Sequence, residues 1–207
     1  MSFAVKDVVC KCCGHKFQAR WLKGFFSAGA DLDSNPHQPE IYEKAVLCPH
    51  CGYATSRINA EVDSAVRDAV SSSEYQNILT NEIIPEPVRR LVLDAKLMCV
   101  RCDDRSAGYQ YLTASWYARE HECEYRWLLE KAEECFAAYL ESNADVDAAL
   151  VLIDVLRQLG KFSDVRETAN SLSEFASDSA LKKVLLYEQS LADAGDVQPH
   201  SRNEVPV

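Results

Sequence analysis

The amino-acid sequence predicts a mainly α-helical protein that carries a small β-rich module at its N-terminus. From residue 61 onward, apolar residues recur at the three- and four-residue spacing of amphipathic helices. Before that point, two C-x-x-C-G sequences at residues 10–14 and 48–52 each follow a short apolar run, which is typical of β-hairpins. Four of the seven glycines also lie in residues 1–60, so tight turns are concentrated there.

Composition and apolar runs indicate a globular protein without a membrane anchor. The chain has 207 residues, of which 47% are hydrophobic and 26% are charged, a balance that is typical of folded domains. Its apolar runs, such as residues 148–153, are far shorter than the ~18 residues that cross a bilayer. Because residues 1–7 lack the pattern of a secretory signal, we expect a cytoplasmic protein whose nine cysteines stay reduced, as metal ligands or buried thiols.

The charge distribution divides the chain near Asn59. Residues 1–60 contain seven Lys and Arg against five Asp and Glu, whereas the remainder contains fifteen against twenty-seven, and the net charge is −10. We therefore predict a head at 1–59, a helical body at 60–196 and a disordered tail at 197–207. The acidic body argues against broad nucleic-acid binding, although the head offers a small basic patch of Lys11, Lys16, Arg20 and Lys23.

The head contains four cysteines with the spacing of a metal site. Cys10 and Cys13 form one C-x-x-C pair, and Cys48 and Cys51 form the other. Such spacing lets two thiolates bind one ion, and the glycine that follows each pair suits the positive φ of the turn. Four thiolates in tetrahedral geometry favour Zn²⁺ or a single iron, and the metal would supply much of the folding free energy of so small a head.

Three further residues of the head are alternative ligands. Cys12 can substitute for Cys13, although the first pair without it already repeats the spacing of the second pair. His15 and His50 lie beside the two pairs. Since a structural zinc site is complete with four ligands, we expect both imidazoles to be exposed.

The stretch between the two cysteine pairs is predicted to be an irregular loop, because it contains Gly24, Gly29 and the dipeptide Asn35-Pro36. Phe25 and Phe26 lie on this loop and either contact a partner or pack against the helical body.

Seven helices are predicted for the body. An apolar stripe over residues 62–70 ends at a run of three serines, and Pro85 then begins a second helix. Residues 148–175, with Gly160 at the turn, resemble one tetratricopeptide repeat, and residues 109–139 resemble a looser copy. The body is therefore predicted to be a stack of α-helical hairpins. Its remaining helices are predicted near residues 106–120, 123–141, 145–159, 162–176 and 179–194.

The body also contains a third C-x-x-C pair, Cys99 and Cys102. Together with His121, Cys123 and Cys135, this pair could form a second metal site, but no glycine follows it. The alternative interpretation is that these cysteines fill the core, since cysteine is among the most buried residue types.

The cysteine pairs, the loop and the helices together resemble a bacterial family of uncharacterised proteins, DUF2225. The resemblance covers most of residues 8–175, and the extra Cys12 and the long connection at 119–126 depart from the family pattern. It implies a four-cysteine zinc-ribbon or rubredoxin-like head, tetratricopeptide-like helices and a bacterial cytoplasmic origin, and it implies no activity. It is carried by Cys10, Cys13, Cys48, Pro49, Cys51, Gly52, Tyr53 and Ala54, preceded by Asn35-Pro36 and Tyr42.

Three functional hypotheses follow. The first is a non-enzymatic adaptor, in which one structural zinc ion holds the head and the helical groove binds a protein or peptide. It is favoured because the sequence contains no HExxH motif, no Ser/His/Asp pattern and no phosphate-binding glycine loop. The second is a rubredoxin-like electron carrier with one iron, which the same four thiolates suit. The third is a zinc-ribbon nucleic-acid binder, against which the acidic body argues.

Overall fold

The computed structural model describes residues 2–24, 29–57, 59–175 and 179–206. Phe25 and Phe26, and the predicted end of a helix at residue 176, lie outside the described residues. Two small antiparallel sheets precede eight helices in the described part of the chain, so the predicted mainly α fold is confirmed. The strands are β1 (Ser2–Val9), β2 (Lys16–Gly24), β3 (Val46–Leu47) and β4 (Ala54–Thr55).

The helices follow the predicted order, with one addition. They are α1 (Ser64–Ser71), α2 (Ser73–Thr80), α3 (Glu86–Val100), α4 (Asp104–Glu120), α5 (Arg126–Leu140), α6 (Val146–Gln158), α7 (Phe162–Phe175) and α8 (Ser179–Asp193). Helix α2 is not predicted from the sequence, because a run of three serines is typical of the end of a helix. Ser72 ends α1 and also begins α2, since its hydroxyl accepts a hydrogen bond from the backbone N–H of Tyr75. None of these helices combines the length and apolar composition that crossing a membrane requires.

The chain divides into two compact units. The first comprises Met1–Phe26 and Gln38–Leu128, and the second comprises Ser27–His37 and Leu129–Val207. This division differs from the predicted boundary near Asn59. The reason is that the two C-x-x-C-G segments of the head share a core with helices of the body. Their buried residues pack together with those of α1, α2 and α3 in one cluster, which includes Cys10, Cys48, Tyr53, Ala54, Val66, Val70, Tyr75, Leu93 and Leu97.

The second unit contains a helical hairpin formed by α6 and α7. Gly160 makes the turn between them with a φ of 77°, and the backbone N–H of Lys161 donates to the carbonyl of Leu156 at 2.9 Å. This arrangement is a helix C-terminal cap that needs a left-handed residue, which explains the glycine. Helix α8 packs against both helices of this hairpin.

Residues 197–206 have a defined conformation, in contrast to the disorder predicted for 197–207; Val207 lies outside the described residues. The backbone N–H of Leu32 donates to the carbonyl of His200 at 2.8 Å, and the N–H of Arg202 donates to the carbonyl of Ala30 at 3.1 Å. The Arg157 guanidinium donates to the carbonyl of Gln198 at 2.7 Å. These partners are distant in sequence, so the local composition of the tail does not reveal them.

A buried ionic network lies at the centre of the second unit. Arg157 has no exposed surface, and Asp154 and Glu188 are each 1% exposed. The guanidinium donates through Nε to Glu188 at 2.8 Å and through Nη2 to Asp154. Burial and the charge of Asp154 raise the pKa of Glu188 to about 8, against the opposing attraction of Arg157.

The stability of this unit should therefore decrease as the pH rises. Between the ordinary pKa of 4.5 and the folded value of about 8, folded Glu188 holds a proton that the unfolded chain has released. Stability is then lost across this range with a slope of up to about 1.4 kcal/mol per pH unit. We expect urea unfolding between pH 5 and 8, monitored in wild type and in Glu188→Gln, to show this slope in wild type and a flatter profile in the variant. Equal slopes in wild type and Glu188→Gln would contradict the assignment of this pH dependence to Glu188.

Candidate metal centre

The two C-x-x-C-G sequences form knuckles with the same backbone geometry. In the first knuckle, the N–H of Gly14 donates to the carbonyl of Cys10 at 2.8 Å, and the N–H of Cys10 donates to the carbonyl of His15 at 2.8 Å. The corresponding bonds within residues 48–53 are 3.0 and 2.9 Å. The glycine has a φ of 77° in the first knuckle and 75° at Gly52. Each knuckle is therefore a short loop that closes on itself and presents two sulfurs.

The knuckles bring all four predicted cysteines together. Every Sγ atom of Cys10, Cys13, Cys48 and Cys51 lies within 4.8 Å of the other three, and such a group could hold a metal ion. The Sγ atoms of Cys10 and Cys51 are 3.7 Å apart, and those of Cys13 and Cys48 are 3.8 Å apart. Metal–sulfur bonds of about 2.3 Å at tetrahedral angles require sulfurs about 3.8 Å apart. The donor set and these two distances thus fit one tetrahedral ion.

Without a bound cation, the thiols of Cys10, Cys13 and Cys51 differ in pKa. Burial raises the pKa of Cys10 to about 11 and raises that of Cys51 even further. Burial also acts to raise the pKa of Cys13, but hydrogen bonds from the backbone N–H of His15 and from the Cys51 thiol outweigh it and lower that pKa to about 6. Because metals bind thiolates, metal uptake must displace the protons of Cys10 and Cys51.

The three alternative ligands of the head lie outside this group of four. Cys12 is half-buried against the core, and burial raises the pKa of its thiol against the opposing effect of Cys51. His15 and His50 are exposed, as expected, and their rings stack with centroids 5.1 Å apart. His50 also acts to lower the pKa of the Cys13 thiol.

Tyr75 of α2 holds the second knuckle in place. Its hydroxyl donates to the carbonyl of Gly52 at 2.9 Å and accepts from the N–H of Ala54 at 3.0 Å, and its side chain is 1% exposed. Leu79 packs directly over Gly52, where an added Cβ atom would lie 2.2 Å from Cδ2 of the leucine. The sequence analysis missed both residues, because only the fold places α2 against the knuckle.

The basic patch of the head is exposed where the structure describes it. Lys11, Lys16 and Arg20 are solvent-exposed, and the side chain of Lys23 lies outside the described atoms. The guanidinium of Arg20 lies 3.4 Å from a carboxylate oxygen of Glu43 and stacks 4.0 Å from the ring centre of Phe3. Part of the positive charge is thus neutralised within the unit.

The cysteines of the helical body do not form a second cluster of this kind. Across the described residues, no other group of three or more His, Cys, Asp or Glu places its ligand atoms within the same distance. His121 instead stacks on Tyr117 with ring centroids 3.9 Å apart, and the thiol of Cys123 donates to the carbonyl of His121 at 3.5 Å. Cys135 is buried, whereas Cys102 is exposed.

Comparison of the chain with protein-family models, with curated proteins and with solved structures gave no match. The resemblance to DUF2225 therefore rests on the motif residues alone and stays a prediction.

The two knuckle glycines provide a matched test of the packing by Leu79. Gly14→Ala meets only the strain of a positive φ, since no atom lies within 4 Å of the added methyl, whereas Gly52→Ala also displaces Leu79. We expect Gly52→Ala to lower the free energy of unfolding by at least about 1 kcal/mol more than Gly14→Ala. Adding Leu79→Ala to Gly52→Ala should reduce this difference. Equal losses in the two single variants, measured by urea unfolding, would show that Leu79 does not constrain the knuckle.

Proposed function

We propose that the four cysteines bind one structural zinc ion and that the protein is a non-enzymatic adaptor for a protein or peptide partner. The observation that carries the zinc proposal is that four cysteine sulfurs lie within 4.8 Å of one another, with two pairs of them 3.7 and 3.8 Å apart. A catalytic zinc site keeps a position open for water or substrate, whereas four thiolates complete the coordination of the ion. The chemistry of the site therefore supports a structural role.

The position of the cluster supports the same role. Cys10 is 5% exposed and Cys48 is 2% exposed, and both belong to the core that α1, α2 and α3 share with the hairpins. A bound ion would join the two knuckles at the edge of this core, because Cys13 is exposed. The free energy of metal binding would then contribute directly to the stability of the first unit.

The second unit supplies a candidate surface for the partner. A cavity of about 320 Å³, with walls that are mostly apolar, lies at the end of α5 and between α6 and α7. Val146 at its rim is 44% exposed. Paired helices commonly bind peptides by burying apolar side chains in such hollows. Its lining includes Leu140, Ala144, Val146, Ala149 and Leu172.

Metal content and a visible spectrum, measured on protein purified without added metal, test the zinc proposal. We expect one zinc per chain and no visible absorption. One iron with charge-transfer bands would instead support the electron-carrier hypothesis, since the same sulfur spacing suits iron. The absence of stoichiometric metal after anaerobic purification and reconstitution would contradict both.

Adjacent cysteines provide a matched control for the ligand assignment. We expect Cys13→Ser to lose stoichiometric metal, because only three thiolates remain, and Cys12→Ser to keep one ion per chain. A chelator should lower the melting temperature of wild type and of Cys12→Ser. It should leave the melting temperature of Cys13→Ser unchanged. Metal loss in Cys12→Ser with retention in Cys13→Ser would reverse the assignment.

The partner surface is tested by selecting peptides against the metal-loaded protein and then measuring their affinity for Leu172→Asp. This substitution places a charge in the apolar hollow, so peptides that bind there should bind at least about tenfold more weakly. Lys161 lies outside the cavity lining, so Lys161→Ala serves as the surface control. Peptides that bind both variants equally would exclude the hollow as the partner site.

A further inference from the structure

Strand β1 has an open edge whose hydrogen-bonding groups can be identified from its register with β2. The N–H of Cys10 bonds to His15, and the pairs that follow in the same register include Val8 with Phe17 and Lys6 with Ala19. Hydrogen-bonded and non-hydrogen-bonded pairs alternate along an antiparallel ladder. The residues between them, Val5, Asp7 and Val9, therefore direct their N–H and C=O groups away from β2.

These three residues are exposed as well as unpaired in the sheet. Val5 is 61% exposed and Val9 is 50% exposed, and Asp7 between them is exposed too. In the described residues this sheet consists of β1 and β2 only. The other strand differs, because β2 lies against β3 and the Pro39–Glu43 turn. An open strand edge with exposed valines is a template for pairing with another strand.

A cavity of about 440 Å³ lies along the same edge. Residues 6–9 of β1 all contribute to its wall, although the side chains of consecutive strand residues point to opposite faces of the sheet. Ser56 and Asn59, which follow β4, also line this cavity, so it lies between this stretch of β1 and the segment after β4. Lys6 and Lys11 supply positive charge to it, Trp21 supplies an aromatic wall, and the Nζ atom of Lys6 lies 5.6 Å from the ring centre of Trp21.

The charges along the edge distinguish between two possible occupants. If two copies of this chain paired through β1 with full overlap of residues 5–9, the two Asp7 side chains would lie directly opposite one another. Like charges at that position destabilise a strand pair. A partner strand with a basic residue opposite Asp7 and acidic residues toward Lys6 and Lys11 would instead be complementary.

We propose that the open edge of β1 binds an extended peptide segment of another protein by strand addition, with apolar residues flanking a basic residue on one face and acidic residues on the other. Main-chain bonds to Val5, Asp7 and Val9 hold the peptide, and the cavity receives its acidic side chains. This surface lies in the first unit and is separate from the helical hollow and from the metal cluster.

The probe is the labelled peptide Ac-Thr-Val-Glu-Lys-Glu-Val-Thr-NH₂, whose palindromic order suits either strand direction, titrated into the full-length, metal-loaded protein by fluorescence anisotropy. We expect it to bind at least about tenfold more tightly than Ac-Thr-Val-Lys-Glu-Lys-Val-Thr-NH₂, in which the charges are exchanged. Amide NMR signals of Val5, Asp7 and Val9 should shift and exchange more slowly with solvent. No binding at about 1 mM, or equal binding of the two peptides, would overturn the proposal.

Two proline variants test whether the peptide binds to the edge of β1 or to the edge of β2. Val5→Pro removes an outward N–H of β1, and Gln18→Pro removes the equivalent outward group of β2, so neither breaks the ladder between the strands. We expect Val5→Pro to weaken peptide binding at least about fivefold, the effect of roughly one hydrogen bond, and Gln18→Pro to leave it unchanged. The metal content of each variant is measured first, so that metal loss is distinguished from loss of the edge. Equal effects of the two variants on peptide binding would contradict the proposal. Self-association of the protein that Val5→Pro abolishes would also contradict it, because the edge would then pair with a second copy of the chain.

Discussion

The first unit depends on holding four sulfur atoms within 4.8 Å of one another at a point where two separate loops meet. Cys13 and Cys48, whose sulfurs face each other, are 35 positions apart in the chain. Each knuckle closes its own backbone hydrogen bonds, so the loops form locally, but their meeting needs a support. That support comes from α2 and α3, because Tyr75 bonds to the second knuckle and Leu93 and Leu97 pack beneath it.

The head differs from a free-standing metal ribbon, because it shares a core with three helices. A free-standing ribbon would depend on its metal alone, whereas these hairpins also bury apolar side chains against three helices. The Tyr53 hydroxyl accepts a hydrogen bond from Arg101, just after α3, at 3.0 Å, and Arg57 forms an ion pair with Asp103 at 2.8 Å. A metal ion in the cluster would therefore stabilise a core that already includes the helices, and it would fix the position of the β1 edge that leads into the first knuckle.

The second unit is organised around charge that is almost completely buried. Arg157 faces two carboxyl groups in an environment without solvent, and Gln158 connects Asp154 to Asp33. Two further bonds of the guanidinium reach the carbonyls of Asp196 and Gln198, so the same side chain also holds the start of the C-terminal segment. Burying these groups costs desolvation energy, which the four hydrogen bonds of the Arg157 guanidinium offset in part.

The sequence by itself determined the features that depend on local spacing. The four cysteines, the knuckle glycines and the periodic helices α1 and α3 to α8 follow from residues a few positions apart, because turn geometry and helical periodicity act over that range. Tertiary structure alone decided which helices share a core with the hairpins, how Ser72 both ends α1 and begins α2, and where residues 197–206 lie. Those outcomes depend on partners such as Tyr75 for Gly52 and Ala30 for Arg202. Contacts between residues so far apart in the chain leave no periodic or compositional trace.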